Sequence, residues 1–349
     1  MYTMTNEEEL QNNLERKEIR AIFIVMGLTL LIFVIFVVSL FYGVGDIPRQ
    51  TVLDVLFNNG GTRGQNYIIK EMREPRAICA AIVGAGLAVS GMAMLALFRN
   101  PMASPSTLGI SSGAAFGASI AIAFGIGTTI GGAPVMAFIF CLITMLAVYA
   151  LSITRHGTPV TLLLLAGVAI GSFFGGLTSF LHFIVDAEAL QNVVYWTLGS
   201  FERCYWSSVK TGVPVILVGI VLLCFTIREL NIISLGEEQA ESLGVNTKRV
   251  KLLILLAVSL TVGGCVAISG VIGFVGLIIP HICRALTGPN HKILAPMCIV
   301  SGAIFMMIMD IFSKSGLILD SVIPVGVLTS LLGAPFFIYI MRKKKTEFW

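Results

Sequence analysis

This sequence predicts an all-α, polytopic membrane protein with ten transmembrane helices, on three observations. The 349 residues are 56% hydrophobic with a mean hydropathy of +0.92, and only 12% are charged. Charge-free stretches long enough to cross a bilayer recur from one end to the other. Soluble proteins carry about 25% charged residues, and a soluble core rarely grows past ~250–300 residues before dividing. A soluble enzyme is thereby excluded. The net charge of +4 gives no argument for a nucleic-acid partner.

A helix needs ~20 apolar residues to cross the ~30 Å hydrocarbon layer. Ten runs qualify: 21–42, 77–98, 106–124, 133–153, 160–185, 207–227, 251–268, 272–286, 293–311 and 322–341. The first follows a charged head, residues 1–20, and ends without a small-residue cleavage site, so it reads as a retained anchor. Gly125, Gly127, Gly131, Gly132 and Pro134 mark a turn between the third and fourth spans. Ser269, Gly270 and Gly273 break the uncharged run from Leu252 to Cys283 into the seventh span and a short eighth. An even number of spans puts both termini on one side. With the N-terminus inside, 15 of the 23 Lys and Arg residues face the cytoplasm, including the Arg342–Lys345 cluster, as the positive-inside rule requires.

Small residues mark the faces where these helices pack. Gly84, Gly86, Ser90 and Gly91 lie in the second span, Gly113 and Gly117 in the third, and Gly167, Gly171 and Gly175 in the fifth. Spacing of four stacks such residues on one face and lets backbones approach closely. A phosphate-cradling loop is the rival reading. It needs a Lys directly after a Gly, and no Lys here follows a Gly, so no nucleotide site is visible. The seven cysteines contain no C-x-x-C pair and read as small hydrophobes, with Cys204 the candidate surface thiol.

Ionisable residues within spans mark ion pathways, and here they are scarce. His182, Asp186 and Glu188 fall at the outer end of the fifth span. Asp310 and Lys314, four apart at the outer end of the ninth, can pair on one helix face. His281 reads either as a proton relay or as a helix histidine bonded to carbonyls. With no chain of buried acids, an ion-coupled carrier lacks support.

One segment breaks the apolar pattern. Ser234 to Gly244 is too short and too acidic to span. Ser234 with Glu237 fits a capping box and Gly244 fits a helix stop, giving a helix of about two turns. Such a helix exceeds what a connecting loop requires, and reads as a docking element for a cytoplasmic partner.

Several segments in order resemble the FecCD-type permeases, membrane subunits of bacterial ABC importers for iron-siderophores, haem and vitamin B12. They are Arg73-Glu-Pro-Arg76, Gly84-Ala-Gly-Leu-Ala-Val-Ser-Gly91, Phe98-Arg-Asn-Pro-Met-Ala-Ser-Pro105 and Leu108-Gly109. Leu235-Gly-Glu-Glu-Gln-Ala-Glu-Ser-Leu-Gly-Val245, Gly273-Phe-Val-Gly-Leu-Ile-Ile-Pro-His281, Pro324-Val-Gly and Gly333-Ala-Pro-Phe336 complete the set. The match runs from about residue 20 to 343.

The resemblance implies a type II ABC importer fold in one transmembrane permease domain, 1–349, with a cytoplasmic head at 1–20 and a coupling-helix region at 232–247. It implies a permease without enzyme activity or resident cofactor, ATP and Mg being held by a partner ATPase. The implied partners are a second permease copy, two ATP-binding subunits, an extracytoplasmic substrate-binding protein and the cargo. The location is the inner or plasma membrane of a prokaryote, with both termini cytoplasmic. A ferric siderophore is the first expectation for cargo, then haem or cobalamin. An ion-coupled carrier or a non-transporting scaffold is more distant.

By position, Arg73, Arg76 and Lys314 match basic residues that dock the binding protein. An ion pair of either arginine with Glu71 or Glu74 is the plainer alternative. Leu235, Gly236, Glu237, Glu238, Ala240, Leu243 and Gly244 match the coupling helix; Asn100, Met102, Val160 and Thr161 match loops of the cytoplasmic gate. Leu95, Met102 and the Val160-Thr161 pair depart from common family residues, all along the pathway lining.

Overall fold

The structure is a computed structural model that describes residues 2–43, 45, 47–57, 60–126, 131–155, 157–315 and 321–343. Gly127, Lys344 and Lys345, used above for a turn and for charge balance, lie outside those residues. Among the described residues every extended element is a helix, with one isolated bridge between Thr154 and Gly157. Seven helices are long and apolar enough to cross a membrane, and three shorter apolar ones complete a set of ten at the positions the sequence predicts.

In chain order, α1 (Tyr2–Phe41) is followed by α2 (Arg49–Phe57) and α3 (Arg63–Tyr67). A π turn, Ile68–Arg73, then runs into α4 (Glu74–Phe98). A 3-10 turn, Pro105–Leu108, leads to α5 (Ile110–Ala123), α6 (Gly132–Ser152) and α7 (Val160–Ile184). Next come α8 (Ala187–Thr197), α9 (Trp206–Phe225), α10 (Ile227–Ile233) and α11 (Glu237–Ser242). The chain closes with α12 (Thr247–Ser269), α13 (Val275–Thr287), α14 (His291–Lys314) and α15 (Val325–Lys343).

The helices α4, α12 and α14 form the centre, with 83%, 72% and 67% of their apolar windows buried. In contrast, α1 and α7 have only 6% and 17% of theirs buried and ride on the outside. One side of α1, with Ile24, Leu28, Ile32 and Ile35, rests on the core, while Phe23, Met26, Leu30 and Phe33 point outward, as an apolar solvent allows. Small residues set the central contacts. A side chain on Gly84 would overlap the Gly302 carbonyl of α14, and one on Gly91 would overlap the Gly276 carbonyl of α13. Gly117 abuts the Met136 carbonyl on α6, and Gly167 abuts Leu108. Gly175 meets nothing within 4 Å, so the stripe on α7 packs internally only over its first half.

The break between α12 and α13 has a backbone cause. Gly270 has φ +71°, and Phe274, a non-glycine residue, has φ +68° where it caps α13. Such a conformation is costly for a bulky residue. The close fit of Phe274 against Gly333 of α15 holds it in place.

Three local expectations are corrected. Ser234 does not cap the acidic helix: it ends α10, its hydroxyl donates to the Asn231 carbonyl, and Gly236 precedes α11 instead. The reason is Gly236 at φ +138°, a turn only glycine makes freely. Cys204 is 1% exposed, with its Sγ facing the Ile268 carbonyl, so it is no surface thiol. Arg76 pairs with Asp310 of α14 in place of Glu71 or Glu74.

Candidate functional site

The charged residues gather at two opposite ends of the helical body. At one end the π turn and the start of α4 carry Arg73 and Arg76, and α14 ends in Asp310 and Lys314. Arg73 is 3% exposed. Its guanidinium donates to the carbonyls of Leu40 at 2.8 Å, Gly43 at 3.2 Å and Gly45 at 2.9 Å. It thus satisfies a carbonyl in the last turn of α1 and favours the negative end of that helix's dipole. Arg76 Nε donates to Asp310 Oδ1 at 2.8 Å, while Lys314 Nζ lies 3.0 Å from Asp310 Oδ2 and donates to Ser39 Oγ of α1 at 2.9 Å. The Asp310–Lys314 pairing matches the spacing read from sequence.

Four charged groups therefore lock α1, α4 and α14 together at this end. Three are cations and one is an anion, so the cluster carries excess positive charge. Arg73, Arg76 and Lys314 also line a cavity of about 160 Å³ together with Gly43, Met72, Glu202 and Tyr205. A second cavity, about 480 Å³, lies between the α5–α6 turn, α8 and α9, and Asn192, Trp196, Arg203 and Ser208 contribute to it. Sequence reading passed over α8 and this cavity. The available signal was Asp186 as an N-cap, whose carboxylate accepts from the Ala189 amide at 2.8 Å.

At the other end sits the acidic helix. Ala240 is fully buried and anchors α11, while Leu235 and Leu243 are 62% and 64% exposed. Glu238 is exposed, but Glu237 turns inward to pair with Lys251 of α12. The Gly244 amide donates to Glu241 and the Val245 amide to Ala240, a Schellman stop made possible by Gly244 at φ +82°. The result is a short, rigid knuckle with two apolar side chains and a carboxylate projecting from it.

The four gate candidates share this end. The Asn100 side chain accepts from the Met102 amide at 2.9 Å and shapes the turn after α4, and Met102 is 53% exposed. Arg99, in the left-handed conformation at φ +47°, brings its guanidinium beside Gly236. Val160 and Thr161 are not in a loop; they open α7, with Pro159 as N-cap. Pro159 ends the preceding turn because its ring fixes φ and cannot donate, which suits a helix start.

His281 is 7% exposed and its Nδ1 lies 2.7 Å from the Leu277 carbonyl, one turn earlier in α13. That is the carbonyl-bonded arrangement. Among the described residues, no group of three or more His, Cys, Asp or Glu side chains gathers as a metal site would require.

Comparison with known proteins adds a family. The FecCD transport family matches residues 30–343. The cobalamin import system permease protein BtuC of Halobacterium salinarum is 40% identical over 280 residues, covering 80% of this chain and 74% of its own length. The hemin transport system permease protein HmuU of Yersinia pestis is 37% identical over 296 residues, covering 84% and 88%. A solved structure described as an inward-facing conformation of a metal-chelate type ABC transporter is similar at a TM-score of 0.81 and 35% identity, covering 92% of this chain and 99% of its own.

Proposed function

The chain belongs to the FecCD transport family, and from that premise we propose that it is the membrane permease of an ATP-driven importer for a ferric siderophore or similar metal chelate. The carrying observation is the knuckle at 237–244. It is anchored by buried Ala240 and presents Leu235, Glu238 and Leu243 outward. A solvent-facing pair of leucines on a rigid element is a surface in need of a partner, and a P-loop ATPase subunit is the partner this reading assigns.

The chain holds no cofactor in this scheme; ATP and Mg bind the two ATPase subunits. The knuckle end then faces the cytoplasm, with both termini on that side, and the arginine end faces outward in the inner or plasma membrane of a prokaryote. Gly175 and Gly176 on exposed α7, with no atom within 4 Å of an added side chain, suit close packing against a second copy of the chain. Two copies would enclose a pathway between them.

The cavity lined by Arg73, Arg76 and Lys314 is where a carboxylate of an extracytoplasmic binding protein would be received. Its supporting feature is the cationic excess of three basic groups over one carboxylate, which attracts an acidic partner. At the inner end, Asn100, Met102, Val160 and Thr161 would form the gate that alternating access opens and closes. A haem or cobalamin cargo is the second reading, favoured by the names of the 37% and 40% identical relatives. Pull-down of the detergent-solubilised chain with the ATPase subunits of its own cell tests the proposal. Co-purification of a P-loop ATPase is expected, and its absence from an intact, folded permease overturns the reading.

A further inference from the structure

Lys251 lies in the first turns of α12 and is only 1% exposed. Burial of an ammonium is rare without partners, and this one has two, on different segments. Its Nζ donates to the Thr158 carbonyl at 2.9 Å and pairs with Glu237 at the start of α11. Thr158 directly precedes Pro159, the N-cap of α7.

From this we infer that Lys251 is a positioning residue for transport: it ties the knuckle to the entry of α7, so that a displacement of α11 by the ATPase is delivered to Val160 and Thr161. The inference rests on the coupling reading above and adds the part that carries the motion.

Three features make the link stiff. A lysine has three donors and no acceptor, so losing either contact leaves a buried charge short of partners, and breaking such a pair is strongly unfavourable. The turn before α7 is itself closed, with the Thr154 amide and hydroxyl both donating to the Gly157 carbonyl at 2.8 Å. The knuckle is also held to α12 by the Thr247 hydroxyl, which donates to Glu241 Oε1 at 2.7 Å. That second latch stops at α12. Among the described hydrogen bonds and ion pairs, Lys251 alone joins the knuckle to the turn before α7.

The test is hydrogen exchange on the permease–ATPase complex, with and without ATP and Mg, reading segments 237–244 and 157–163. In the wild type both segments change their exchange on adding ATP. In Lys251→Met the change at 237–244 persists, while that at 157–163 falls by about threefold or more. Glu237→Ala, altered at a half-exposed position, gives the same split if Lys251→Met folds poorly. Lys251→Arg, which keeps the charge and the donors, restores the response at 157–163. A merely structural lysine would change stability without separating the two segments. A wild-type response at 157–163 in both Lys251→Met and Glu237→Ala overturns the inference and leaves the transport reading standing. If neither segment responds to ATP in the wild type, the coupling reading itself falls.

Discussion

Arg76 and Asp310, 234 positions apart in the chain, form a buried ion pair with Nε 2.8 Å from Oδ1. With Lys314 on the other carboxylate oxygen, the pair sets α4 and α14 in register where both approach α1. Removing the carboxylate strands two buried cations. Asp310→Ala is therefore expected to destabilise the protein by about 3–5 kcal/mol, as when one partner of a buried pair is lost. Replacing all three groups by apolar residues (R76M, D310L and K314M together) should recover most of that loss. Unfolding in detergent measures both variants, and equal stability of Asp310→Ala and wild type would contradict the assignment.

Small residues at the α4 contacts predict a graded response. Gly84→Ala and Gly91→Ala each force a methyl group into a backbone carbonyl, of Gly302 and Gly276 respectively. Overpacking of this kind costs about 1–3 kcal/mol or more. An added methyl group at Gly175 meets no neighbouring helix within 4 Å, so Gly175→Ala should be neutral or stabilising by up to about 1 kcal/mol in the isolated protomer. Thermal unfolding of the three variants ranks them directly.

The knuckle separates surface from anchor. Glu238→Lys and Leu243→Ala alter exposed side chains and should leave unfolding temperatures unchanged, yet weaken ATPase capture about tenfold, the equivalent of ~1.4 kcal/mol. Ala240→Asp buries a charge and should reduce the yield of folded protein itself. Retained capture by both surface variants would remove the knuckle from the ATPase interface.

The positions of the ten apolar helices were legible because length and freedom from charge are local properties, and lipid leaves few alternatives to a helix. The Asp310–Lys314 pair was legible for the same reason, being one helical turn apart. The destinations of long side chains were not. Arg73 reaches the end of α1, Arg76 reaches α14 and Lys251 reaches the turn before α7, over sequence separations of 33, 234 and 93 residues. Ser234 misled because its spacing to Glu237 fits a capping box, while a single positive-φ glycine between them starts the helix two residues later. The short helices α2, α3 and α8 carry too few apolar residues to stand out beside the spans, and their folds depend on what they rest against.

Electrostatics at the arginine end give a further prediction. If the cavity lined by Arg73, Arg76 and Lys314 receives carboxylates of a binding protein, affinity should fall as salt rises, because the long-range attraction of the cluster's net positive charge for an approaching acidic surface is screened beyond ~10 Å at 0.1 M ionic strength. Titration of the binding protein onto the reconstituted permease at low and high salt measures this. Affinity independent of salt would contradict docking by these cations.

In the proposed role this chain moves a metal chelate using energy from another subunit. Proteoliposomes containing the permease and its ATPase, supplied outside with binding protein loaded with ferric siderophore, measure it directly. Uptake is expected to require ATP on the ATPase side and to persist when the proton gradient is collapsed. Uptake that proceeds without the ATPase and follows the pH gradient would contradict it.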